Sequence, residues 1–140
     1  KGYKAGAFQP YPTAVTALAA IPPETVSAWE FGVKSEIIPH VLTLNIAAYQ
    51  NDYDDLQLNL SSTTGGSIVV NSADLRTRGI ETEFTFNPFD GFSVNGAFTV
   101  SDSKFKRVPP GASSPLITDR QKNLPSYQLR LSPTYVATLG

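Results

Sequence analysis

The 140-residue chain has no cysteine and no methionine, one histidine and one tryptophan. Without thiols there are neither disulfides nor thiolate metal sites, and a single imidazole, His40, makes no zinc site. The sequence also lacks a GxSxG elbow and a glycine-rich phosphate loop, so no catalytic machinery and no cofactor are expected. Charged residues make up only 16% of the chain and the net charge is −1. A nucleic-acid partner, which requires a concentrated basic surface, is therefore not expected. Lacking an initiator methionine, the chain reads as processed or cut from something longer, with no signal peptide to recognise. The most apolar run, residues 14–21, stops at Pro22-Pro23, far short of the roughly twenty residues of a transmembrane helix. A barrel is not excluded, because each β-span needs only about ten residues and turns half of them away from lipid.

What the sequence does contain is alternation. Residues 78–100 read as one β-hairpin: Ile80, Thr82, Phe84 and Phe86 on one face of its first strand, Glu81, Glu83 and Thr85 on the other. After a turn at Asn87-Pro88-Phe89-Asp90-Gly91, Phe92, Val94, Phe98 and Val100 share a face, opposite Ser93, Asn95, Ala97 and Thr99. Setting Phe86 opposite Phe92 would pair Phe84 with Val94 and Ile80 with Phe98. Further strands are predicted over residues 1–8, 25–37, 41–56 and 127–136, with apolar faces built from Trp29, Phe31 and Val33, from Leu42, Leu44 and Ile46, and from Tyr127, Leu129 and Leu131. Residues 68–87 suit an extended strand, and because Leu75 and Thr77 fall in phase with Glu81 rather than Ile80, either a bulge near Gly79 or emergence of the strand from the apolar layer is expected. Pro133 requires an edge, a bulge or a strand end.

The connections alternate in length. Residues 9–24, which include a short helical piece at 13–20, 57–67 and 106–125 are long; 38–40 and 88–91 are short. Up-and-down strands would then carry every long loop at one end and every short turn at the other, the pattern of a bacterial outer-membrane barrel. The predicted fold is all-β, an antiparallel up-and-down meander forming part of a transmembrane β-barrel. A soluble meander or sandwich is the alternative.

Several segments resemble consecutive barrel segments of TonB-dependent outer-membrane receptors. They are Lys1-Gly2-Tyr3-Lys4-Ala5-Gly6-Ala7-Phe8, residues 23–36, Asn45-Ile46-Ala47-Ala48-Tyr49 with Asp52-Tyr53-Asp54-Asp55-Leu56-Gln57, and Arg78-Gly79-Ile80-Glu81-Thr82-Glu83 with the turn before Phe92. That family has a 22-stranded barrel with a plugged lumen, so about six strands here imply one partial barrel domain over residues 1–140, from the C-terminal half and without the plug. The resemblance implies a Gram-negative outer-membrane location and import of ferric siderophores or a similar scarce nutrient. Implied partners are outer-membrane lipid and lipopolysaccharide, the protein's own plug domain and the TonB complex. A passive porin-like channel and a soluble β-sheet binding domain are the competing functions.

On this reading Glu30, Lys34, Glu81, Glu83, Asn95 and Arg130 face the lumen, and Trp29, Phe31, Leu44, Ile46, Phe84, Phe86, Phe98 and Leu129 face lipid. Glu81 and Glu83, about 7 Å apart along a strand, have the spacing of a carboxylate pair, but no nucleophile or metal set converges on them. Asp52, Asp54 and Asp55 lack EF-hand spacing and read as a solvated strand end near outer-leaflet sugars and bridging ions. Trp29, Tyr127 and Tyr135 suit an aromatic girdle, whereas Tyr49 and Tyr53 fall on the polar face. Arg76 and Arg78 either point outward toward lipopolysaccharide phosphates or are turned inward by a bulge.

Overall fold

A computed structural model describes residues 1–8, 20–61, 67–108 and 124–137. Its strands are β1 (Gly2–Lys4), β2 (Ala7–Phe8), β3 (Ala20–Ile21), β4 (Glu24–Ile38), β5 (Leu42–Ser61), β6 (Ser67–Phe89), β7 (Phe92–Arg107) and β8 (Tyr127–Tyr135). The main sheet has the order β1-β4-β5-β6-β7-β8, and β2 with β3 forms a separate two-stranded ribbon. The fold is therefore an all-β antiparallel meander, with no helix among the described residues.

Three boundaries differ from expectation. The strand expected over residues 1–8 is broken at Ala5-Gly6 into β1 and β2. The second long strand runs on to Ser61, five residues beyond Leu56, because Leu56, Leu58 and Leu60 alternate with Gln57, Asn59 and Ser61 and carry the strand pattern into the segment expected as loop. The predicted helical piece at 13–20 lies outside the described residues except for Ala20, which opens β3. The expected loop at 106–125 also lies largely outside them, and β7 reaches Arg107.

The short turns follow from their residues. At Pro39-His40-Val41 the Val41 N–H donates to the Ile38 carbonyl at 3.0 Å. His40 takes a left-handed conformation with φ 61°, and its N–H donates to the Glu36 carboxylate. The other turn shrinks to Asp90-Gly91, where Gly91 supplies φ 80° without a Cβ to clash. The Phe89 and Phe92 rings stack across it at 5.3 Å. Thr85 donates to Asn95 at 2.8 Å, and the Phe84 ring covers Gly96. These contacts sit two residues along from the expected register, so Phe84 meets Gly96 instead of Val94. A shift of two preserves each residue's face.

The chain divides into two compact units. The first (Lys1–Trp29, Gln50–Thr77, Ser103–Leu124) holds the buried apolar side chains Ile21, Ala73 and Leu75, together with buried Ser103. The second (Glu30–Tyr49, Arg78–Asp102, Pro125–Gly140) buries no hydrophobic side chain among its described residues. Its β7–β8 ladder pairs Phe98 with Leu129, Gly96 with Leu131 and Val94 with Pro133, alternating with Ala97–Arg130 and Asn95–Ser132. Ser101 N–H donates to Ser126 O and Val136 N–H to Gly91 O, so the hydrogen-bonded pairs are those with odd β7 numbers. Pro133 is therefore in a non-hydrogen-bonded pair, its nitrogen directed away from β7, and no ladder bond is lost. β6 runs without a break through Gly79, which has no positive φ, and the strand residue with positive φ is Asp55 of β5, at 55°.

Candidate functional site

Strand alternation in the second unit produces two faces of opposite chemistry. On one, Phe31 is 74% exposed, Leu129 64%, Ile46 43%, Phe98 42% and Phe86 37%. Leu44 and Phe84 share that phase and are half-buried, Phe84 because its ring lies where a Cβ on Gly96 would stand. Trp29, in the first unit, is 75% exposed.

The opposite face is polar. One depression of about 410 Å³ is lined by Thr43, Asn45, Glu83, Asn95 and Arg130. A neighbouring one is lined by Glu30, Lys34, Asn45, Glu81 and Glu83. The six polar residues singled out from the sequence are thus brought together along one surface. Both depressions are open, and among the described residues no group of three His, Asp or Glu side chains assembles as a metal site. Tyr49 joins this face by packing over Gly79, whose missing Cβ leaves room for the phenol.

The first unit contains an ionic cluster that sequence reading missed. Asp52 accepts hydrogen bonds from Arg76 Nε at 2.7 Å, Lys106 Nζ at 2.6 Å and Gln50 Nε2 at 2.8 Å. Arg107 bridges Asp55 at 2.6 Å and Asp74 at 2.8 Å. The solvated strand end expected at Asp52, Asp54 and Asp55 is thereby corrected: protein cations from β6 and β7 hold Asp52 and Asp55, and only Asp54 is exposed. Lys106 and Arg107 fall in the segment expected from sequence to be a loop, where alternation gives no partner. Arg76 alternates with buried Leu75, so it stands on the uncovered face of β6. In the second unit Arg78 shares the face of Ile80 and meets Asp102 at 3.3 Å. Arg76, Arg78 and Arg107 are thus each paired with a carboxylate.

Hydrogen bonds from Arg76 and Lys106 hold the Asp52 carboxyl well below the usual carboxylate range, and the Arg107 guanidinium lowers Asp74. A carboxyl depressed in the folded state contributes its full stabilisation above the unfolded value, near 3.9, and loses it as pH falls through the folded value. The urea midpoint is therefore expected to drop between pH 5 and pH 2. Asp52→Asn should lower the midpoint at pH 7 and flatten that pH dependence. An unchanged slope would show that Asp52 is not linked to folding.

A family model described as TonB dependent receptor-like, beta-barrel, matches residues 1–140.

Proposed function

The chain belongs to the TonB-dependent receptor β-barrel family, and on that premise we propose that it forms a stretch of receptor wall that imports a ferric siderophore or a similar scarce nutrient. Proteins of the family are outer-membrane receptors and transporters of Gram-negative bacteria. The observation that carries the reading is the second unit's lack of any buried apolar side chain among its described residues, beside a broad exposed apolar face. In water such a face is a liability; against acyl chains it is the solvated surface.

Trp29, Phe31, Leu44, Ile46, Phe84, Phe86, Phe98 and Leu129 then face lipid, and Glu30, Lys34, Glu81, Glu83, Asn95 and Arg130 face the lumen. The polar face binds and orients by hydrogen bonds and charge, and its role is non-catalytic. Lipid and lipopolysaccharide surround the wall, a plug domain fills the lumen, and TonB supplies the energy. Within one barrel domain over residues 1–140, ligand contacts come from the long loops.

Uptake of radiolabelled ferric siderophore separates the readings. Cells with the intact gene should accumulate label, and deletion of either this gene or TonB should abolish it. Uptake that persists without TonB would favour a passive porin-like channel. Recovery of the protein in the soluble periplasmic fraction would favour a β-sheet binding domain.

A further inference from the structure

The short-turn end of the second unit departs from the two-faced pattern. By strand phase alone Phe89 of β6 would join Glu81 and Glu83 on the polar face. It stands instead at the mouth of the Asp90-Gly91 turn, 62% exposed, with its ring stacked on Phe92 at 5.3 Å and 16° between planes. Phe92 has the phase of Phe98, so the stack carries the Phe89 ring to the apolar side. Phe92 is also paired with Tyr135, which is 69% exposed, in a non-hydrogen-bonded pair of the kind whose side chains stand close together. The apolar surface of Leu129 and Leu131 thus continues without interruption along β8 to the turn. Past it come exposed Asp90 and Gly91. The dimensions agree. From Tyr127 to Tyr135 the strand advances about 27 Å, which at the usual barrel tilt covers about 20 Å of depth. An apolar band is about 25 Å tall, so one that begins at Tyr127 reaches past Tyr135 by about one or two residues. That is where Phe89 lies.

We propose that Phe89, Phe92 and Tyr135 form an interfacial anchor, in which the Phe89 ring is immersed at the boundary between phospholipid acyl chains and headgroups in the leaflet on the short-turn side. The proposal rests on the reading of the sheet as a membrane wall, and it extends the lipid contact to a turn residue that strand phase assigns to the lumen. Aromatic rings suit this depth, and tyrosine in particular combines an apolar body with a polar tip. Held against Phe92, the Phe89 ring has little rotational freedom left to lose on immersion. The anchor fixes how deep the short-turn end of the wall sits.

The test uses the single tryptophan, Trp29, replaced by phenylalanine, with Phe89→Trp or Leu131→Trp introduced in its place. Each variant is folded into phosphatidylcholine vesicles whose acyl chains are brominated near the headgroup or near the chain ends, and bromine quenching is compared with quenching by aqueous acrylamide. Tryptophan at 131, midway between Tyr127 and Tyr135, should be quenched most by the deep bromines. At 89 the shallow bromines should lower emission by about twofold or more, and the deep ones by less. Quenching at 131 with acrylamide alone reaching 89 would overturn the proposal by placing the turn in water. Protection of 89 from both quenchers would overturn it by placing the ring under protein, such as a lumen-filling domain. Absence of bromine quenching at 131 as well would remove the membrane-wall reading, and the anchor with it.

Discussion

Leu129→Arg is expected to destabilise the protein folded in lipid vesicles by about 2–4 kcal/mol, whereas Gln128→Arg changes stability by less than about 0.5 kcal/mol. The two residues are neighbours on β8, paired with Phe98 and Thr99 respectively, and differ in which face of the sheet they occupy. Leu129 is already 64% exposed to whatever solvent surrounds it. If that solvent is hydrocarbon, a guanidinium must be dehydrated or dragged toward the interface; if it is water, arginine is harmless. Guanidinium unfolding from vesicles, followed by the fluorescence of the single tryptophan, Trp29, reads the difference. Equal effects at 128 and 129 would contradict the facial assignment.

The second large effect is expected at Gly79. A Cβ there would lie 2.6 Å from the Val100 carbonyl oxygen and 2.7 Å from the Tyr49 hydroxyl. The carbonyl belongs to backbone and has little freedom to retreat, so Gly79→Val should cost about 1–3 kcal/mol, in the range of overpacked sites. Tyr49→Ala in the same chain removes one obstruction and leaves the other. The double variant should therefore recover part of the loss, with a coupling of about 0.5 kcal/mol or more between the sites. Gly96 is a useful contrast, because the atoms a Cβ would meet belong to the Phe84 ring, a side chain able to swing aside. Gly96→Ala should accordingly cost less than Gly79→Ala. Equal costs, or strict additivity of Gly79→Val and Tyr49→Ala, would mean that the phenol does not seat on the glycine.

The facial chemistry was readable from sequence because it depends only on period-two alternation, which Phe84, Phe86 and Glu81, Glu83 display without interruption. The family was readable from segments such as Arg78-Gly79-Ile80-Glu81-Thr82-Glu83, and the match over residues 1–140 bears it out. Register was less accessible. Moving Phe84 from Val94 to Gly96 leaves every residue on its face, so the hydrophobic pattern cannot distinguish the two pairings, and only the tight Asp90-Gly91 turn decides. The cluster around Asp52 was hidden for a related reason. Lys106 is 54 residues away in sequence, and its approach depends on β7 continuing as strand through polar residues that resemble a loop.

The most direct measurement is single-cysteine labelling along β8 in outer membranes, at positions 128, 129, 130 and 131 in turn, with a membrane-impermeant thiol reagent and with a lipid-soluble one. Cysteines replacing Gln128 and Arg130 should react with the aqueous reagent, and those replacing Leu129 and Leu131 only with the lipid-soluble one, in strict alternation. Uniform aqueous labelling at all four positions would contradict a wall with water on one face and lipid on the other.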